Sequence, residues 1–433
     1  MKSAMKKSYR YIALVLAILM IGALALAGCN KSEPAAGSSA APAAGSSEAA
    51  EEPEVTGPPI KIGLLNETSG AYEQWGKMEL QGFFSGLYYA TDGTMAIDGR
   101  PLEVIVEDTT CDVGVGVQKA TKLLEDDKVD ILSGTCISSI ALAVMDMAAE
   151  KGVPYVINCA ASDDITGANF NEYTFRTGRN LTMAAEAGLG FLNEDEIEGT
   201  TWVVLAPDYA GGRSGGESLG AGVEARGGKV LDYIYPPMDC TDFTSYIQKI
   251  KSLNPDYLCA AIVGNNFIVK FPQQLKELGA LDNGMQYVTS IADFDFLKTV
   301  GEAGIGQIGE ALYHYNCWDT PANDALIQIH QELYNGEYPD FWAGESFVGA
   351  QAIVLGIQKA GGTDGQAFIK ALEGLEFESV KGTYIIRAED HQALQPMAVG
   401  RIISDGNGGA TVEAAAIIPL EGMTFPVTAP GRA

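Results

Sequence analysis

Gly212-Arg213-Ser214-Gly215-Gly216 has the G-x-S-x-G spacing that puts a nucleophilic serine on a strand-to-helix elbow in α/β-hydrolases. An elbow needs a strand directly before the serine. The nearest strand-like run, Trp202–Ala206, is separated from the motif by Pro207 to Gly211. A serine nucleophile also needs a base, and of the three histidines His330 falls mid-helix by pattern, leaving His314 and His391. A glycine-rich loop entering a helix accounts for the motif without chemistry, and a serine hydrolase built on Ser214 stays as a remote alternative. Cys111, Cys136, Cys159, Cys240, Cys259 and Cys317 show no C-x-x-C spacing, which argues against a zinc site. No G-x-G-x-x-G follows a strand and no G-x-x-x-x-G-K-S/T occurs, so a nucleotide has no support and no cofactor is expected. Acid pairs such as Asp163-Asp164 suit solvated loops better than metal coordination. The reading is a binding protein with no enzymatic activity.

The N-terminus supplies an address. Lys2, Lys6, Lys7 and Arg10 precede an uncharged apolar run, Ile12 to Ala27, too short for a comfortable membrane span, as in a secretory signal. The run closes on Leu26-Ala27-Gly28-Cys29, which resembles the lipobox of bacterial lipoproteins. That resemblance implies a signal peptide over 1–28, lipid on Cys29, and an exported protein held on the outer face of the cell membrane. Residues 29–59 are rich in Ala, Ser, Gly, Pro and Glu and cannot bury enough apolar surface to fold, so they form a flexible spacer. The 433-residue chain carries 28 basic against 56 acidic residues, a net charge of −28, which argues against nucleic acid as a partner.

From Ile60 onward, short β-branched runs alternate with amphipathic stretches. Ile60–Leu65, Leu102–Val106, Val129–Ser133 and Tyr155–Asn158 are strand-like, with helical patterns near Met78–Thr91, Val115–Glu125 and Ser138–Lys151. The order pauses near Phe175-Arg176-Thr177-Gly178. It restarts with strands at Trp202–Ala206, Val230–Tyr235, Tyr257–Ile262 and Gln286–Thr289 and helices at Gly215–Gly227, Asp242–Ser252 and Phe267–Leu278. Two successive βα blocks predict two α/β lobes with parallel sheets. A mostly helical third block follows, Pro321–Asn335, Phe341–Lys359 and Gly365–Glu373. The final strands lie around Thr383–Arg387 and Val399–Ile403.

In such sheets ligands bind outside the carboxyl ends of the strands. The segments expected there are Ser69-Gly70-Ala71-Tyr72-Glu73-Gln74-Trp75-Gly76, Glu107-Asp108-Thr109-Thr110-Cys111-Asp112, Gly134-Thr135-Cys136-Ile137-Ser138-Ser139 and Ala160-Ala161-Ser162. The second block adds Pro207-Asp208-Tyr209-Ala210-Gly211-Gly212-Arg213. Ser138 and Ser139 open a helix, where free N–H groups and hydroxyls suit a carboxylate, although plain N-capping is the alternative.

In order and spacing these segments resemble the branched-chain amino-acid-binding proteins (leucine/isoleucine/valine type), the type I periplasmic-binding-protein family of ABC importers. The resemblance runs from Ile60 to about Val412. It implies two Rossmann-like lobes joined by a three-strand hinge near Thr177, Leu312 and Gly382. Lobe one would be 60–177 with 312–381, and lobe two 178–311 with 382–433. It implies a solute closed between the lobes and, as partners, an ABC permease and its ATPase subunits. Trp75 matches the aromatic that packs on the ligand side chain, with a surface staple as the alternative. Ala160, Ala161 and Ser162 match the loop holding the ligand's amino and carboxylate groups. Ser138 must serve where Ile137 replaces the usual serine, and Tyr209 lies near the place of a second-lobe tyrosine. The family acid that pairs with the ammonium falls near Ser290, with Asp293 the nearest carboxylate, which could equally be a helix cap. Cys111 and Cys136 match the family's disulfide, two free thiols being the alternative. An amino acid, branched-chain or related, is therefore the favoured ligand. An amide or an organic or aromatic acid, or a ligand-sensing receptor role, stands as the alternative.

Overall fold

The computed structural model describes residues 56–190, 192, 194–261, 265–289, 294–422 and 425–432. Cys29, the segment before Thr56, Ser290 and Asp293 lie outside the described residues. Among those described, no helix is long and apolar enough to cross a membrane.

The first block folds as read. Strand β1 (Ile60–Asn66) is flanked by helix α1 (Glu73–Ala90), then come β2 (Ala96–Ile97), β3 (Arg100–Asp108) and α2 (Val113–Thr121). They are followed by β4 (Ile131–Gly134), α3 (Ser138–Glu150), β5 (Tyr155–Ile157) and β6 (Thr174–Arg176). The sheet order is β2-β3-β1-β4-β5-β6, parallel except for the β2–β3 hairpin. Ile62 pairs with Val104 on one side and Ile131 on the other, so the apolar run of β1 is buried at the sheet centre.

The chain crosses after Arg176 into α4 (Leu181–Leu189), the single turn α5 (Glu194–Ile197), β7 (Thr201–Leu205), α6 (Ala210–Ala225) and β8 (Lys229–Ile234). Then follow α7 (Thr244–Leu253), β9 (Tyr257–Ala260), α8 (Asn265–Glu277), β10 (Gln286–Thr289) and α9 (Phe294–Val300), giving a parallel sheet in the order β10-β9-β7-β8. The N-cap of α7 is Phe243 and not Asp242, which lies one residue earlier with its Oδ1 accepting from the Thr244 amide at 2.9 Å; Asn254 ends that helix at φ 48°.

The remainder is β11 (Ile308–Ala311), α10 (Pro321–Leu333), α11 (Phe341–Ala360), α12 (Gly365–Leu372), β12 (Glu376–Ser379), β13 (Gly382–Ile386), β14 (Ala393–Leu394), β15 (Met397–Ser404) and β16 (Ala410–Ile418). These strands form two antiparallel sheets, β11-β15-β16 and β12-β13-β14. Helix α11 is apolar almost all round and buried along most of its length, as expected for a helix with no solvent face. It packs on α1 at backbone distance. A Cβ on Gly82 would lie 2.1 Å from the Ala343 carbonyl oxygen, so only glycine permits the crossing. This contact brings the start of α11 beside the β1–α1 loop.

Candidate functional site

Ser138 is the first residue of α3, and the residue before it, Ile137, makes no side-chain cap. The buried Ser138 hydroxyl instead accepts the amides of Ala161 and Ser162, each at 3.2 Å. It therefore fastens the loop after β5 to the helix after β4. Ala160, Ala161 and Ser162 are buried, and Ser162 Oγ has no hydrogen-bond partner. Ser139 is half-buried.

The second lobe meets this edge through α6. The Asp163 amide donates to Ser214 Oγ at 3.0 Å, and Ser218 Oγ donates to Asp163 Oδ2 at 2.6 Å. A Cβ on Gly211 would fall 2.9 Å from Ser138 Oγ. The two lobes are thus in contact across the cleft. Residues 212–216 all lie inside α6, so Ser214 occupies no strand-to-helix elbow and its hydroxyl serves the contact between lobes.

An aromatic stack lines the base of the cleft. Trp75 stands between Tyr72, with ring centroids 4.1 Å apart, and Trp342, at 4.2 Å. Both faces of Trp75 are covered, so it does not offer a face to a ligand as the sequence reading expected. Tyr72 and Trp342 carry the outer faces. Arg179 lies 4.5 Å above the Phe341 ring and 5.8 Å from that of Trp342. Its Nη1 donates to the Cys159 carbonyl at 2.9 Å. Tyr209, half-buried at the start of α6, has its phenol pushed up by burial, with the nearby Arg179 opposing. Sequence reasoning missed Tyr72, Arg179 and Trp342. Tyr72 lay within a segment already placed at the ligand edge, and Arg179 follows the crossover at Thr177-Gly178. Nothing in the sequence pointed to Trp342.

Beneath the stack sit two buried carboxyls. Glu67 receives the hydroxyls of Thr109 and Thr135 and the Cys136 amide. Glu79 receives Asn66 Nδ2 at 2.8 Å. Burial pushes both above the usual carboxylate range, and Glu67 raises Glu79 further. The expected Cys111–Cys136 disulfide is absent, and both thiols are free. The Cys136 side chain turns into the core, with Sγ 3.3 Å from Glu79 Oε2, while Cys111 Sγ points to the Ser69 carbonyl at 3.6 Å on the rim. Glu79, Cys136 and Cys159 bring donor atoms within 4.8 Å of one another, the grouping best able to hold a metal ion among the described residues. Burial raises all three, Cys159 to about 12, so the two thiols carry their protons at neutral pH and make poor metal ligands. This predicts that dithiothreitol leaves the melting temperature unchanged and that Cys136 and Cys159 resist thiol reagents in the native state. A several-degree drop on reduction, with a Cys111–Cys136 peptide in non-reducing digests, would restore the disulfide.

Behind the cleft, Glu345 of α11 ties separate crossovers together. Its Oε1 pairs with Lys381 Nζ at 3.0 Å, and its Oε2 accepts the Arg179 amide at 3.0 Å. Lys381 also donates to the Leu312 carbonyl at 3.2 Å. Nearby, Arg176 is satisfied by Gln392 Oε1, Thr166 Oγ1 and the Ser162 carbonyl.

The periplasmic binding protein family matches residues 59–407. The chain is 23% identical over 360 residues to Leu/Ile/Val-binding protein homolog 6 of Brucella suis, covering 81% of this chain and 89% of that protein. It is similar to the crystal structure of an ABC-type branched-chain amino acid transporter from Rhodopseudomonas palustris, at 30% identity and a TM-score of 0.72 over 86% of this chain and 99% of the other. A solute binding protein of an ABC transporter from another Rhodopseudomonas palustris strain, solved with 3,4-dihydroxy benzoic acid, shares the fold. Its TM-score is 0.74 at 22% identity, covering 87% and 99% of the two chains.

Proposed function

The chain belongs to the periplasmic binding protein family, and from that premise we propose that it is the extracytoplasmic solute-binding component of an ABC importer. The observation that carries this reading is the meeting of the lobes at Ser138, Asp163, Gly211 and Ser214, directly over the loops at the carboxyl ends of β4 and β5. Solute would bind the first-lobe loops, and α6 would close on it as a population shift toward the closed state. In this reading residues 60–177 with 312–381 make one lobe and 178–311 with 382–433 the other. Cys29 carries the lipid, 29–59 is the tether, and the closed form docks on a permease driven by ATPases. Relatives named for leucine, isoleucine and valine support an amino acid as the solute in this reading, with an amide or an organic or aromatic acid as the alternative.

A thermal-shift panel of amino acids, amides and carboxylic acids tests the reading. Ligand at about 1,000 times its Kd adds about 4 kcal/mol, a shift of several degrees. A silent panel, together with ester hydrolysis that Ser214→Ala abolishes, would replace the binding protein with a hydrolase. Gly211→Val adds a side chain where the lobes touch. It is expected to leave the ligand-free protein stable and to cost about 1–3 kcal/mol at closure, hence a rise in Kd of roughly 5- to 150-fold by calorimetry. An unchanged Kd would mean that the lobes do not close there.

A further inference from the structure

The pair Asp163-Asp164 divides its residues between two environments. Asp164 is exposed, as a solvated loop acid should be, but Asp163 is half-buried where the lobes meet. Its Oδ1 accepts the amides of Leu181 and Thr182 at 3.1 and 3.2 Å, N–H groups that the start of α4 would otherwise leave free. Its Oδ2 accepts Thr182 Oγ1 at 3.1 Å, Ser218 Oγ at 2.6 Å and Ser214 Oγ at 3.4 Å. All of these donors lie on α4 and α6, after the crossover into the second lobe. Asp163 itself belongs to the loop between β5 and β6 of the first sheet.

That loop is pinned from behind. Arg176 donates to the Ser162 carbonyl and to Thr166 Oγ1. The C-terminal segment covers its far end. A Cβ on Gly167 would fall 2.8 Å from Thr428 Oγ1, and Arg432 lies 5.0 Å from the Phe170 ring and donates to Glu172 Oε1 at 3.2 Å. The carboxylate is thus fixed in the first lobe, and the second lobe moves against it. Helix α4 begins three residues after Gly178 at the crossover, so a rotation there displaces Leu181 and Thr182 little. Ser214 and Ser218 stand one turn apart on one face of α6, much further from the crossover. An opening rotation parts them from Asp163. The serine of the G-x-S-x-G spacing therefore has a role that needs no nucleophile.

We propose that Asp163 is a positioning residue for closure, a latch that takes Ser214 and Ser218 of α6 as the lobes meet and stabilises the closed form without touching the solute. This rests on the solute-binding reading above and deepens it. Hydrogen bonds to a charged acceptor are the strong ones. Because the latch acts on the balance between open and closed forms, it raises the affinity for every solute by one common factor.

The test uses Ser218→Ala, Asp163→Ala and the double variant, with leucine, phenylalanine and benzoate as calorimetric probes. Ser218→Ala is expected to raise the Kd of each probe that binds by about tenfold, the weight of one hydrogen bond to a charged group, and equally for all of them. Asp163→Ala should weaken binding at least as much. Adding Ser218→Ala to it should cost less than about twofold more, since the partner is already gone. The latch also acts without solute. There, hydrogen exchange of the Asp163 amide, which donates to Ser214 Oγ, should quicken about tenfold in Ser218→Ala. The amides of Ala161 and Ser162, held by Ser138 within the first lobe, should keep their rates. If Asp163→Ala fails to fold, Ser218→Ala decides by itself, because Ser218 is half-buried and alanine is the better helix former. Unchanged Kd values, or unequal factors for different probes, overturn the latch and leave solute binding standing. So does Asp163 exchange at the wild-type rate. If none of the three probes binds wild type, the exchange result still decides the latch, and the silence counts against the solute-binding reading only.

Discussion

Replacing Lys381 with methionine is expected to destabilise the protein by about 3–5 kcal/mol, the cost of leaving one member of a buried ion pair without its partner. Lys381 and Glu345 side chains are each 1% exposed and 3.0 Å apart. Burial lowers the Lys381 ammonium and Glu345 raises it, so the pair exists only because each partner is present. The effect should exceed the loss of one contact, because Lys381 also holds the Leu312 carbonyl and Glu345 the Arg179 amide. Segments around 179, 312 and 381 would lose their common fastening. Urea denaturation gives the number, and Lys381→Met with Glu345→Gln should recover a large part of it. A single-variant loss below about 1 kcal/mol would mean that water already reaches the pair, as at a surface salt bridge.

Trp75→Ala should cost a similar amount, about 3–5 kcal/mol for removing a buried indole, with no ligand present. Trp75 is 4% exposed and stacked on both faces, and each aromatic contact contributes about 0.5–1.5 kcal/mol beyond its buried area. The measurement separates two roles. A tryptophan whose face awaits a ligand would leave the ligand-free protein nearly as stable when truncated. A structural indole would drop the urea midpoint and free the rings of Tyr72 and Trp342. The second outcome is the expected one, and Trp75→Phe should restore part of the stability.

Much of the fold was legible because period and punctuation are local properties. The apolar run at Ile60–Leu65 was read as a buried strand and is one, extended to Asn66. The pattern at Ser138–Lys151 was read as a helix and ends one residue earlier. The helix read from Gly215 begins at Ala210 instead. Glycine disfavours helix by about 1 kcal/mol each, so Gly211 and Gly212 looked like loop. In the folded protein their missing side chains permit the approach to Ser138 and Pro207, and tertiary contact overrides propensity.

The order of strands placed Ser138, Ala160, Ala161, Ser162 and Tyr209 at one edge, since a parallel sheet presents its carboxyl ends together. What those side chains do there was decided only by packing. Cys136 turns inward to Glu79, away from Cys111 on the rim, and no spacing encodes that rotation. Trp75 is closed off by Trp342, which comes from a helix far along the chain. Arg179 acquires its meaning from Cys159, Phe341 and Glu345, and Glu345 from Lys381. Sequence periodicity reports which face of an element is apolar. Which groups meet a buried charge depends on residues brought together from several crossovers, as at Glu345 and Lys381, so it could be found only in three dimensions.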